Sequence, residues 1–410
     1  MTTTDPAEIT IEDVRAARRV GEGFVTVTPV LPSRTLSEAV GASVVLKAEC
    51  LQRTGSFKIR GALNRIARLS DAERPRGVVA ASAGNHAQGV ALAASVLGVQ
   101  ATIYVPLGAS LTKIEATRSY GATVIRQGEA FDDAYRAAED HAEREGATFV
   151  SAFDDPLVVA GQGTLGLELA EQVPEAEVVI VPCGGGGLLA GVAIAFRALR
   201  PGVRIIGVQA AGCSSYVQSL AEGRIVPAAT SHTIADGIAV KRPGRVTFPI
   251  IQRLVDDMVV VDDAEIAGMI ALLVERQKLV CEGAGAAGAA ALLHGRCGDV
   301  AGKRVAVVLS GGNIDLPLVT AAIRVGLTEN GRYLTLRTTV SDRPGALARL
   351  LTLLAEDRVN VIDVLHHREG RDLFVTDTGV DLTLETRDRD HQREIVGQLE
   401  RHGYQVQHLH

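Results

Sequence analysis

Short runs of β-branched and other apolar residues recur along most of the chain, separated by longer stretches in which apolar positions return every three or four residues. The short runs predict strands at Val44–Glu49, Gly77–Ala81, Ala101–Val105, Ala122–Arg126, Val178–Val181, Arg204–Val208 and Arg304–Leu309. The longer, alanine-rich stretches predict helices at Gly61–Leu69, Gln88–Leu97, Asp132–Glu145, Leu188–Leu199 and Ala264–Lys278. Strand and helix in regular alternation is the signature of an α/β body. Near residue 326 the pattern changes. The polar segment Gly326–Arg332, with its Asn-Gly turn, reads as a linker at 326–332. Beyond it come strand Tyr333–Val340, helix Pro344–Glu356, strands Val359–His367 and Phe374–Glu385, helix Arg389–His402 and strand Tyr404–Leu409. That βαββαβ order predicts a ferredoxin-like α+β module at 333–410 appended to a body at 1–325.

Composition narrows the function classes. Of 410 residues 47% are hydrophobic and 22% charged, which fits a packed globule. The net charge is −6 and the basic residues are scattered, so a nucleic-acid groove is not expected. Aromatics at 3%, with no tryptophan, argue against a stacking platform for bases or sugars. The five cysteines (50, 183, 213, 281 and 297) form no CxxC pair, which suits a reducing compartment. Met1–Ile9 lacks the basic start and apolar core of a signal peptide, and no apolar run approaches the ~18 residues of a membrane span. A cytoplasmic chain without membrane or nucleic-acid partners is the expectation.

Four segments carry chemistry. Only six of the 42 basic side chains are lysines, so a lysine inside a motif is informative; Lys47 and Lys58 flank the first such segment. Lys58 falls in the first turn of a helix expected to begin near Ser56, where the positive end of the helix dipole disfavours its charge. Easier deprotonation is what an imine-forming lysine needs, although an isolated lysine at a helix start is far more often an exposed one on a solvated face. In Ser82-Ala83-Gly84-Asn85-His86, a strand passes through a glycine turn into a helix whose first amides can hold a carboxylate, unless Ser82 or Asn85 merely caps it. Gly184-Gly185-Gly186-Gly187-Leu188 is again strand, glycine loop and helix. It lacks the Walker Gly-Lys-Ser/Thr and the third glycine of a dinucleotide fingerprint, and Gln209 stands where a ribose-binding acid would be. A single phosphate fits better, with a tight packing turn as the other reading. Ser310-Gly311-Gly312-Asn313 places a hydroxyl at a strand's carboxyl end, facing the crevice in which open α/β sheets bind ligands. Lysine, carboxylate loop, phosphate cradle and strand-end hydroxyl are together the parts needed to hold pyridoxal phosphate and an amino acid.

With Gly55-Ser-Phe-Lys58-Ile-Arg-Gly61-Ala, Ser82–His86, Gly184–Leu188 and Ser310–Asn313 in that order, the chain resembles the serine/threonine dehydratases over about residues 10–325. These belong to the tryptophan-synthase-β-like, fold type II pyridoxal phosphate enzymes. The tail resembles an ACT domain, Asp342-Arg-Pro-Gly345-Ala-Leu347 matching its first loop and helix. The resemblance implies a catalytic body of two α/β subdomains, the smaller and mobile one inserted at roughly 50–150. It implies that Lys58 carries pyridoxal 5′-phosphate as an imine and acts as catalytic base. Phe57 would flank the ring, Asn85 meet its hydroxyl, Ser310 its nitrogen, and Gly184, Gly185, Gly186, Gly187 and Leu188 its phosphate. Ser82, Ala83, Gly84, Asn85 and His86 would surround the substrate carboxylate.

The implied reaction converts L-threonine to 2-oxobutanoate and ammonia, and L-serine to pyruvate. An amino-acid effector at the ACT-like tail and a homodimer or homotetramer are implied too, with regulated isoleucine synthesis or catabolism as the setting. Departures from the family bear on two points. Relatives that bind a divalent cation place an acid where this chain has Gln209, and Cys213 and Ser215 carry no carboxylate, so no metal is expected. Cys281-Glu282-Gly283-Ala284-Gly285 matches a segment near the ring, without a role for Glu282. Racemases resembling this chain have a serine at the position of Ala83. The alternatives are another reaction on the same scaffold, such as serine racemisation or hydroxyaspartate dehydration, and a non-enzymatic amino-acid sensor.

Overall fold

The computed structural model describes residues 9–368 and 376–409. The segment weighed as a signal peptide and the first residues of the strand expected from Phe374 lie outside the described residues, up to Ile9 and Thr376 respectively. The chain divides into two compact units, Met1–Asp315 and Leu316–His410.

The first unit is built on ten strands: β1 (Val30–Pro32), β2 (Ser43–Ala48), β3 (Val78–Ala81), β4 (Ala101–Val105), β5 (Thr123–Arg126), β6 (Thr148–Phe149), β7 (Val178–Pro182), β8 (Arg204–Ala210), β9 (Asp257–Val261) and β10 (Arg304–Leu309). They form a six-stranded sheet, β1-β2-β10-β7-β8-β9, and a four-stranded sheet, β5-β4-β3-β6. Every pairing is parallel except that of β1 with β2. In chain order the smaller sheet is inserted between β2 and β7 of the larger. Parallel strands covered by helices on both faces must be apolar throughout, and all five residues of β7 are buried. Each sheet has its own core, one centred on Ile180's neighbours Val179 and Val181 with Leu189 and Phe196, the other on Ile59, Ile66, Val90 and Ile103. The helix Gly283–Leu293, almost entirely glycine and alanine, is buried on all sides; a Cβ at Gly285 would run into the carbonyl of Gly311.

All four chemical segments leave the carboxyl end of a parallel strand, after β2, β3, β7 and β10. Open α/β sheets bind ligands at this edge because the following loops and helix N-termini converge there. The helix expected at Ala264–Lys278 is α-helical to Leu272, widens to a π-turn at Leu273–Gln277, and ends with Lys278 in the left-handed region.

In the second unit β11 (Tyr333–Ser341), β12 (Asn360–His367), β13 (Asp377–Glu385) and β14 (Gln407–His408) form an antiparallel sheet in the order β12-β13-β11-β14. Alternate residues of β11 are buried. Leu334, Leu336 and Leu382 pack with Leu350 and Leu354 of the helix Ala346–Glu356 and Ile395 and Leu399 of the helix Arg389–Arg401, which completes the expected βαββαβ order. The boundary differs from the expected linker at 326–332. A helix, Leu316–Glu329, continues through Gly326, whose buried position in the last turn gives the polar segment no break. The turn falls only at Asn330–Gly331, where Gly331 takes φ +69°.

Candidate active site

Lys58 opens the helix Lys58–Ala67, which has no side-chain cap. The helix starts two residues later than expected because Ser56 is held in an antiparallel bridge with Gly311, and the Phe57 N–H donates to the Ser310 carbonyl at 3.2 Å. The first and fourth segments are thereby joined. Lys58 Nζ donates to the Ala152 carbonyl at 2.8 Å and lies 5.1 Å from the centre of the Phe57 ring. Burial pushes its pKa from 10.5 down to about 8, against the smaller upward pull of Glu282.

Ala152 leads directly to the glycine loop. The next residue, Phe153, packs so closely that a Cβ at Gly185 would enter its ring, and one at Gly187 would lie 3.0 Å from its backbone. Gly186 takes φ +97°, and a Cβ there would meet the Tyr216 hydroxyl. The Gly185 carbonyl accepts hydrogen bonds from Thr247 Oγ1 (2.7 Å) and Tyr216 Oη (3.1 Å), which tie the loop from behind. The first-turn N–H groups of the helix Gly187–Leu199, that of Leu188 among them, have no intrahelical acceptor. Bare backbone followed by open amides at the positive end of a helix is a phosphate cradle.

The carboxylate loop is less uniform than its sequence suggests. Ser82 Oγ accepts from the Gly84 N–H at 3.1 Å, and the helix Asn85–Val96 begins with no side-chain cap, leaving its first amides open. The His86 ring is buried, Nε2 donating to the Val150 carbonyl at 2.8 Å. Burial, with Lys58 nearby, pushes its pKa down to about 3, so the ring is neutral. Asn85 Nδ2 donates to Glu282 Oε1 at 2.7 Å. Glu282 is buried beside Gly311 and Gly237, and burial raises its pKa to about 8, helped by Asp236.

The fit to pyridoxal phosphate rests on what the protein leaves unsatisfied. Among the described residues six buried side-chain polar atoms have no hydrogen-bond partner: Asn64 Oδ1, Gln209 Nε2 and Thr338 Oγ1 outside the four segments, and Ser56 Oγ, Asn85 Oδ1 and Asn313 Nδ2 within them. The last three belong to the segments around Lys58, and a buried orphan polar atom costs about 1–3 kcal/mol unless a guest pairs with it. Lysine, glycine cradle and orphan donors and acceptors match an aldehyde, a phosphate and a polar ring. Sequence reasoning left out Ala152, Phe153, Tyr216 and Thr247, which act through a carbonyl, packing and the far side of the loop and carry no local signal. Gln209 is buried, its Oε1 accepting from the N–H groups of Tyr216 (2.8 Å) and Val217 (3.3 Å), so the side chain caps the helix Ser215–Glu222.

Comparison with known proteins shows the family. Residues 22–311 match the family described as Pyridoxal-phosphate dependent enzyme, and residues 334–403 match the ACT domain. The chain is 50% identical to the L-threonine ammonia-lyase of Thermotoga maritima over 97% of its length and 99% of that relative's. It is 43% identical to the catabolic L-threonine dehydratase of Escherichia coli K12 over 76% of its length and 95% of that protein's. Among solved structures it resembles threonine deaminase isoform 2 of Solanum lycopersicum (36% identity, TM-score 0.73, 77% of this chain and 92% of that one). Maize serine racemase is similar to the same degree (36% identity, TM-score 0.73, 78% of this chain and 98% of that one).

Proposed function

The chain belongs to the pyridoxal-phosphate-dependent enzyme family, and from that membership we propose that it dehydrates and deaminates L-threonine to 2-oxobutanoate and ammonia, and L-serine to pyruvate. Pyridoxal phosphate, when bound, supplies an aldehyde for amine condensation and a ring that draws charge away from the substrate Cα. Lys58 Nζ is the amine that holds it and the base that takes the Cα proton. With its pKa near 8, roughly one lysine in ten is neutral at pH 7, against a few in ten thousand for an ordinary lysine. The open amides at Asn85–Ala87, with Ser82 and Gly84, hold the substrate carboxylate. Gly184 to Leu188 would hold the phosphate, Phe57 would flank the ring, and Asn85 would meet the ring hydroxyl. Ser310 would face the ring nitrogen. Being a hydroxyl, it would not keep that nitrogen protonated as a carboxylate would, which would favour loss of the β-hydroxyl over transamination. The ACT domain supports an amino-acid effector site, and the assembly would be a homodimer or homotetramer.

The observation that carries this reading is the placement of Lys58 on the Ala152 carbonyl, one residue from the ring that packs on the glycine loop. Borohydride treatment of protein reconstituted with pyridoxal phosphate should fix the label on the peptide holding Lys58, and threonine should yield 2-oxobutanoate. Lys58→Ala should lose at least a thousandfold in turnover. Label elsewhere, or near wild-type turnover in Lys58→Ala, overturns the assignment.

A further inference from the structure

Behind the lysine lies a cluster of charge that the reaction does not use. Lys47, Glu49, Arg60 and Glu168 are 0%, 0%, 2% and 5% exposed. Arg60 is gripped from two sides. Its Nε and Nη2 donate to the two oxygens of Glu49, both at 2.8 Å, while Nη1 and Nη2 donate to those of Glu168 at 2.6 and 2.9 Å. Nη1 also reaches Thr164 Oγ1 at 3.1 Å. Lys47 uses all three donors of its ammonium, on Glu168 Oε2 (2.7 Å), the Thr28 carbonyl (2.8 Å) and Gln172 Oε1 (2.8 Å). Thr28 Oγ1 completes Glu49. Two cations face two anions, and every donor of Lys47 and Arg60 is used.

Such a network is a poor way to gain stability. Desolvating four charges costs about what their attraction returns, and apolar residues of the same volume serve as well or better. What a saturated network does provide is a single geometry. Its members lie at the end of β2, on the helix Pro156–Gln172, and on the helix that Lys58 begins. Arg60 follows Lys58 by two residues, roughly 200° around the helix axis, so the grip is on the face opposite the reactive lysine. That helix has no side-chain N-cap, its start being held only by the backbone contacts of Ser56 and Phe57 with Gly311 and Ser310. It also crosses the helix Pro156–Gln172 almost backbone to backbone, a Cβ at Gly161 falling 2.6 Å from Gly61 Cα, and Asn64 Nδ2 on the Leu157 carbonyl (2.7 Å) and Arg65 on Asp155 (3.0 Å) hold its later turns, so that Arg60 is the charged anchor nearest Lys58.

We propose that Arg60, clamped between Glu49 and Glu168 and backed by Lys47, is the positioning residue that sets the rotation of the Lys58 helix and so aims Lys58 Nζ at the cofactor site. The proposal rests on the reading of Lys58 as the cofactor lysine. With side chains reaching about 5 Å from the axis, a rotation of about 10° moves their ends by about 1 Å. A misplacement of that size costs up to about a hundredfold in rate.

The test uses Arg60→Lys, which keeps the charge but cannot grip both carboxylates, and Glu168→Asp, which shortens one jaw by a methylene. In full-length protein two quantities are followed: kcat and KM for threonine, and the rate at which pyridoxal phosphate with borohydride labels Lys58 in cofactor-free protein as pH is varied. A roughly 10- to 100-fold fall in kcat is expected with KM for threonine within about twofold. Labelling should slow in parallel, with its pH midpoint displaced from that of wild type. Variants that melt earlier but keep wild-type kcat and labelling profile show a merely structural network and overturn the proposal. Failure of both variants to fold overturns it too, since an aiming role requires a folded protein with a misdirected lysine. Absence of label on Lys58 in wild type would instead sink the underlying functional reading and this inference with it.

Discussion

At the scale of single residues, two groups of opposite type are driven by burial to the same place: Lys58 and Glu282 both lie near pKa 8. For Glu282 the native value is above the ordinary 4.5, so between about pH 4.5 and about pH 8 the folded protein keeps a proton that the unfolded chain has released. Stability therefore falls as pH rises through that window, and the loss is complete above it. Glu282→Gln should remove this slope. Urea midpoints of cofactor-free protein at pH 5 and pH 8.5 should converge in the variant relative to wild type, whereas parallel curves would show that Glu282 is not the buried acid. Ala83 decides a second matter. Returning a proton to the face of Cα opposite Lys58 needs an acid on that side, and a methyl group has no exchangeable proton. L-serine should therefore give pyruvate with negligible D-serine. Chiral chromatography of an early-stopped reaction checks this, and D-serine accumulating as fast as pyruvate would refute the role given to the loop.

At the scale of elements, the glycine loop proposed as the phosphate cradle joins backbone conformation to the binding expected of it. Gly186 at φ +97° is in a region that costs an L-residue about 1–2 kcal/mol, and its side-chain space is already taken by Tyr216. Gly186→Ala should weaken pyridoxal phosphate binding at least tenfold, read by titration of the cofactor's absorbance. Affinity within twofold of wild type would move the phosphate elsewhere. The loop was legible in the sequence because four glycines between a buried strand and a helix have few other uses. Its anchors, Tyr216 and Thr247, were not, because each reaches the loop from a helix of its own.

At the scale of the whole molecule, the tail has its own sheet and core, centred on Leu336, Leu350, Leu382 and Leu384. One catabolic relative is matched over nearly its whole length by three quarters of this chain, which supports a body that suffices for catalysis. A chain ending at Asp315 should fold, accept label at Lys58 and turn over threonine within about tenfold of the full protein, while losing any response to amino acids such as isoleucine or valine. Unchanged effector response together with unchanged mass in solution would refute a regulatory tail.

By itself the sequence determined the alternation of strand and helix, the change of architecture in the tail, and the four segments at strand ends, because each is a local matter of hydrophobic period, turn chemistry and helix start. Only the tertiary structure decided what those segments touch. Asn85 meets Glu282 across 197 residues, Lys58 meets the Ala152 carbonyl across 94, and Arg60 meets Glu168 across 108. It also set the His86 ring on the Val150 carbonyl and carried a helix through the polar stretch at Gly326. No spacing along the chain encodes such pairings. They follow from which strands lie side by side in the two sheets, and from the requirement that every charge taken out of water find a partner where the packing leaves one.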